Sequence, residues 1–379
     1  RRALKLVKEG SHQAARILSL YGYSLGAATG SDLTQSRDAF ERALEIVRRE
    51  GDEALEVRIL SSYANILSFH LQWEEALPMA AEAIDREDES NNPVDILRAL
   101  LWVSQGATST GEFKQGEETA DNMLARARVT RDHYWIARAM NAMMDAVSAQ
   151  GRFDEALAMV AEADSMGLSE PSMNAIAINV LSQVGRFDDA QSLITSMGET
   201  PLIAKAYYLE LGKDEAKAHA LEEATAEDAR QTFLSVSPTT PIFHMRVRYG
   251  LSILANLRGD PEVAAEEYQQ IISLVGDANG AYLTRSNQRV LGDLAKTSGD
   301  EPEAEDHYQR SVEFCRETGF KPELAWSMYE YADLLLTRDG DGDREKAGPM
   351  LDETLALATD MGMKPLMEKV LSKREILKA

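Results

Sequence analysis

A chain of 379 residues has room for several globular domains or for one long repeat array, and its 63 acidic against 40 basic residues leave a formal charge of −23. Such a charge repels polyanions, which argues against nucleic acid or an anionic membrane surface as a partner, and no run approaches the roughly 18 apolar residues of a membrane span. The single cysteine, Cys315, rules out an internal disulfide, and with no charged-then-apolar leader in view a reducing cytoplasmic setting is expected.

Ala, Leu, Glu, Met, Arg and Lys are abundant, whereas alternating Val/Ile/Thr runs are scarce, so an all-α fold without strands is expected. Taken in chain order, the helices recur in pairs. An amphipathic run follows Ile59 (ILSSYANILSF), another Leu97 (LRALLWVSQGA) and a third Ala137 (ARAMNAMMDAV). Between and after them stand segments of one plan: GEFKQGEETADNMLARA from Gly111, GRFDEALAMVAEA from Gly151 and GRFDDAQSLITSM from Gly185. Further copies are GDPEVAAEEYQQI from Gly259 and GDEPEAEDHYQRSV from Gly299, with a fourth amphipathic run, NQRVLGDLAKT from Asn287, between them. A turn glycine, acidic residues and then small or apolar residues spaced by four and three make up each copy.

The first residue of that stripe is Ser36, Ala76, Gly116, Ala156, Ala190, Ala264, Ala304 or Ala347, at intervals of 40, 40, 40, 34, 74, 40 and 43. The 74 divides into two units around Ala216. At +4 and +7 come pairs such as Phe40/Ala43, Ala80/Ala83, Tyr308/Ser311 and Leu351/Thr354, which places three residues on one helical face. Each unit is therefore expected to be a helical hairpin, helix A then helix B, that buries its apolar stripe only by stacking on its neighbours. About nine hairpins fit in one domain over 1–379. A kink is expected over 197–241, where the pattern weakens into a short helix pair around Gly212 and an SPTTP break from Ser237 to Pro241.

Leu291-Gly292 with Ala295 in helix A, then Ala304 and Tyr308 in helix B, resemble the tetratricopeptide repeat (TPR). The resemblance covers nearly the whole chain and implies an α–α superhelix. It departs from the family in period, 40 against a usual 34, which implies longer helices or loops. Forty-residue repeats of this composition are similar to those in the C-terminal halves of LuxR-type ATP-dependent regulators and AAA-linked cyclases, so a chain opening at Arg1 reads as a piece of a longer protein. LSKRE at Leu371–Glu375 is similar to the start of a LuxR-type helix-turn-helix, but an ordinary capping helix explains the same letters. No G-x-x-x-x-G-K-[ST] stands in the sequence.

Chemistry finds few footholds. The six histidines include no H-x-x-x-H pair, no G-x-S-x-G or Rossmann fingerprint occurs, and neither a metal, a cofactor nor an enzymatic activity is expected. Asp339, Asp341 and Asp343 alternate as in a calcium loop, but Met350 stands where a bidentate Glu is required, and a solvated turn is the expected reading.

The TPR resemblance implies that helix A lines a concave groove. Its inward positions carry over to Arg58, Arg98 and Arg138, and in a later unit to Arg246. Asn65, Gln105, Asn141, Asp145 and Asn179 complete the set. Arginine forks with amides suit an extended acidic peptide or a C-terminal carboxylate, held by bidentate hydrogen bonds. The rival reading pairs these arginines with acids of the preceding helix B, such as Glu82 or Glu87. Trp102, Trp135, Tyr249, Trp326 and Tyr329 read either as groove anchors or as packing between hairpins.

The expected function is a protein- or peptide-binding scaffold or sensor within a signalling or transcription-regulatory protein, with neighbouring domains of the same protein among its partners. A small-molecule inducer held in the superhelix bore near 200–245 is the alternative.

Overall fold

The computed structural model describes residues 2–28, 32–88, 91–197, 202–211, 240–276 and 278–378. Ala216, Gly212 and most of the SPTTP break lie outside the described residues, as does most of the expected kink.

Among the described residues the fold is all-α. After a short 3₁₀ turn the helices run α1 (His12–Ala28), α2 (Thr34–Glu50), α3 (Glu53–Phe69), α4 (Trp73–Asp85), α5 (Pro93–Thr110) and α6 (Phe113–Thr130). Then follow α7 (His133–Ala149), α8 (Phe153–Ser165), α9 (Pro171–Gln183), α10 (Phe187–Ser196) and α11 (Leu202–Leu211). The last set is α12 (Pro241–Arg258), α13 (Pro261–Val275), α14 (Asn287–Ser298), α15 (Glu301–Thr318), α16 (Lys321–Arg338), α17 (Asp343–Asp360) and α18 (Lys364–Lys378). Between α13 and α14 a small antiparallel pair, β1 (Ala281–Tyr282) and β2 (Arg285–Ser286), corrects the expectation of a strand-free chain.

The eight stripe anchors are buried, and Ala304, Tyr308, Ala347 and Leu351 show no exposed surface at all. Two contacts show how closely paired helices approach along the stripe. Ser36 Oγ donates to the Gly22 carbonyl at 2.7 Å, and a Cβ on Gly292 would stand 2.8 Å from the Tyr308 ring. The turn glycines of the repeat, Gly111, Gly151, Gly185, Gly259 and Gly299, all have φ between 61 and 94°. That left-handed conformation ends one helix and starts the next at little steric cost only for glycine.

The period has a structural reason. Where the anchors are 34 apart, α8 and α9 have 13 residues each; at 40, helices such as α2, α3 and α7 have 17. From Ala264 to Ala304 the helices are shorter again, 15 and 12 residues, and the β1–β2 hairpin makes up the difference.

The described residues fall into two compact units. The first holds residues within 2–107, 115–142 and 240–245; the second holds 108–114, those within 143–211, and 246–378. In the first, α1 packs on α2 and α3, and α3 on α4, which is the stacking of successive hairpins. In the second, α14 packs on α13, α15 and α16, α16 on α17 and α18, and α9 on α8, α10 and α11.

The second unit also returns on itself. Phe113 packs on Phe320 with ring centroids 4.9 Å apart, and Trp326 Nε1 donates to Gln183 Oε1 at 2.7 Å across 143 residues of chain. A Cβ on Gly151 would strike Met361, and α18 touches α9. The early hairpins of this unit thus lie against its late ones. Phe113, Ala149, Ala281, Phe314, Cys315, Phe320, Leu324 and Met328 form the core between them.

Candidate functional site

Helices α3 and α5 of the first unit bring together the groove residues that the repeat register aligned. Arg58 Nε donates to Asp95 Oδ2 at 3.0 Å and Arg98 Nη1 to Asp95 Oδ1 at 2.9 Å. Asp95 is buried at the start of α5, where its charge suits the helix N-terminus, and Ser61 Oγ donates to its carbonyl at 2.7 Å. Pairing with Glu82 or Glu87 is not what occurs: Glu82 is taken by Arg48 and Arg86, and Glu87 by Arg126. Each of the two arginines gives Asp95 one nitrogen and keeps its other guanidinium donors without a partner among the described residues. Asn65 accepts from Trp102 Nε1 at 2.9 Å, and its buried Nδ2 has no acceptor among the described residues. Gln105 is half-buried on α5, Arg138 is half-buried on α7, and Asn141 is buried with its Oδ1 unpaired among the described residues.

Asn179 and Arg246 belong to the second unit, so the aligned set is divided between the two. Both meet the β1–β2 hairpin. Asn179 Nδ2 donates to Thr284 Oγ1 at 2.5 Å, Arg246 Nε donates to the Tyr282 hydroxyl at 3.2 Å, and Tyr207 OH donates to the Leu283 carbonyl at 2.5 Å. Tyr282 stands edge-on to Tyr249, whose hydroxyl donates to Asn287 Oδ1 at 2.6 Å. The Arg285 guanidinium is ion-paired with Glu210 and lies 4.7 Å from the centre of the Tyr207 ring. Burial would raise the Glu210 carboxyl, but Arg285, then Arg289, outweigh it and hold it low. Beside Arg246 stands Asp145, raised by burial to about 6 against the pull of that arginine.

Next along α14 and α16 runs a buried charge ladder. Arg289 grips Glu323 with Nε and Nη2, at 2.5 and 2.7 Å, and reaches Asp293 with Nη1 at 3.2 Å. One turn on, Lys296 pairs with Glu330 at 3.1 Å and Asp333 at 2.6 Å, and Lys373 closes on Asp333 from α18. The Asp293 carboxyl, which accepts from Tyr308 OH at 2.8 Å, is pushed up to about 7 by burial, with Arg289 opposing. A carboxyl held above its ordinary 3.8 contributes stability below that value and loses it as pH rises through about 7. Asp293→Asn is therefore expected to gain on the wild type in melting temperature between pH 4 and pH 8. A constant difference across that range would refute the assignment.

Residue types alone pointed to neither the hairpin nor the ladder. Their signals were Arg289, Asp293 and Lys296 at i, i+4 and i+7, and a connection between α13 and α14 of eleven residues, 276–286. Trp102, Trp135, Tyr249, Trp326 and Tyr329 are all buried. The Asp339–Asp343 turn is an ion-pair turn: Arg338 spans both Asp343 oxygens at 2.9 and 2.8 Å, and Arg344 holds Asp339. Cys315 is buried beside Phe314, and burial pushes its thiol up. No group of three or more metal-binding side chains is assembled among the described residues, and no described helix is long and apolar enough to cross a membrane.

These elements define an all-α protein of stacked helical hairpins. No protein-family model and no curated protein matches the chain. Among solved structures it is similar to a tetratricopeptide repeat protein from Parabacteroides merdae, at 15% identity and a TM-score of 0.33, over 73% of this chain and 98% of that one. It is similar also to the Cut9–Hcn1 hetero-tetramer of APC/C, at 12% and 0.33, over 97% and 91%. A circular tandem repeat protein with novel repeat topology aligns at 17% and 0.24, over 97% and 96%. At these TM-scores the fold rests on the helices of the chain itself.

Proposed function

We propose that the chain is a non-catalytic protein-binding scaffold, whose first unit holds an extended peptide by its carboxylates against α3, α5 and α7. The observation that carries this reading is the sharing of Asp95. One carboxylate fixes two arginines in place yet leaves most of their donors unspent, with the unpaired Nδ2 of Asn65 on the same pair of helices. Arg138 and Asn141 extend the row by one repeat. Charge-assisted hydrogen bonds to a carboxylate contribute about 1.5–3 kcal/mol each, so a peptide offering two carboxylates would be held specifically. The setting we propose is a signalling or transcription-regulatory protein of the cytoplasm, with neighbouring domains among the ligands.

Fluorescence anisotropy with a labelled acidic peptide bearing a free C-terminal carboxylate tests this. Arg58→Glu and Arg98→Gln are each expected to weaken binding about tenfold or more, and amidation of the peptide should do the same. Unchanged affinity in both variants, with helicity retained, would remove the first unit from consideration.

A further inference from the structure

We infer that the wall formed by Asn179, Tyr207 and Glu210 in the second unit is a binding site for an extended, arginine-bearing segment of a partner protein, and that the β1–β2 hairpin occupies it as a resident stand-in. The inference takes up the reading of the chain as a protein-binding scaffold but concerns another unit and a ligand of opposite charge.

The contacts are those of recognition. A carboxylate and an aromatic face together hold a guanidinium, Tyr207 OH donates to a backbone carbonyl, and Asn179 donates to a side-chain hydroxyl. An incoming extended segment would present the same groups: a carbonyl, a short polar side chain and an arginine.

The hairpin fits this site imperfectly. Its two-residue loop has φ of 47° at Leu283 and 62° at Thr284, the class of turn that Asn-Gly adopts readily and a branched Thr does not. Buried polar atoms are left over: Arg285 Nε and Asn179 Oδ1 find no hydrogen-bond partner among the described residues, although both residues are more than nine-tenths buried. A segment kept only to fill space would need neither the strained turn nor the buried charge. The connection is also long, eleven residues where the B-to-A turns that lie wholly within the described residues use from two (51–52, 131–132, 319–320) to five (166–170). Strain and unpaired atoms together weaken the resident hairpin relative to a ligand that satisfies the same wall.

The probe is a labelled peptide of residues 278–288 of this chain, with a second peptide carrying Ala, and a third Lys, in place of its arginine. Arg285→Ala empties the guanidinium place, and this variant is expected to bind the arginine peptide at least tenfold more tightly than the wild type. The Ala peptide should not bind, the Lys peptide should bind at least tenfold more weakly, and adding Glu210→Gln should abolish binding of the arginine peptide. If Arg285→Ala does not fold, hydrogen exchange on the wild type decides: excess arginine peptide should speed exchange at Tyr282 and Arg285 at least tenfold. Leu283→Asn, which eases the first position of the turn and keeps the Thr284 hydroxyl, the residue 283 carbonyl and the Arg285 guanidinium, should reduce that effect. A folded Arg285→Ala protein that ignores the peptide, or binding indifferent to Glu210, overturns the inference. Because the acidic peptide of the first unit is a separate ligand, failure here leaves that reading standing, and its failure leaves this one.

Discussion

Glu323→Ala is expected to lower the stability of the second unit by about 3–5 kcal/mol, the usual consequence of removing one partner from a buried ion pair. Arg289 is 4% exposed and Glu323 2%, so solvent cannot replace the lost carboxylate. Asp293 cannot replace it either. It meets only Nη1, and with its carboxyl pushed up to about 7 it carries only part of a charge at neutral pH. The arginine is thus left desolvated with two donors unspent. Urea denaturation monitored by circular dichroism measures the loss. Arg289→Met combined with Glu323→Leu should recover most of it, since removing both charges also removes the desolvation cost. A loss below about 1 kcal/mol in Glu323→Ala would mean that the ladder is hydrated and that the burial argument fails.

The helical part of this architecture is written in the sequence at short range. Ala304, Tyr308 and Ser311 fall on one face because the helix repeats every 3.6 residues, and all three are fully buried. The alignment of Arg58 with Arg98 is legible for the same reason. Their common partner was not, because Asp95, Glu82 and Glu87 are all acids within one turn of a helix end, and only packing selects among them. The β1–β2 hairpin escaped because strands of two residues cannot display an alternating pattern. The return of the second unit on itself is hidden for a different reason. Phe113 and Phe320 each read as an ordinary apolar residue at a helix start, and nothing local says that they meet.

That meeting gives the second large effect. Phe320 precedes the first turn of α16 with no exposed surface, its ring tilted 59° to that of Phe113 and surrounded by Phe314, Cys315, Leu324 and Met328. Phe320→Ala is expected to cost about 3–5 kcal/mol, from lost apolar burial and from the cavity left where close-packed neighbours relax only in part. The position of the loss separates two accounts of this core. If the contact with Phe113 holds the early hairpins of the unit to the late ones, hydrogen exchange should quicken at 108–114 together with 314–328, although the two stretches are far apart in sequence. Faster exchange confined to 314–328 would mean that Phe320 stabilises only the α15–α16 turn. Gly111 supplies the control: a Cβ there would stand 2.3 Å from Thr318 Cγ2, at a φ of +94° that disfavours any side chain. Gly111→Ala should therefore disturb the same two stretches from the opposite side, and agreement between the two exchange patterns would show that one shared contact, and not two local turns, closes the unit.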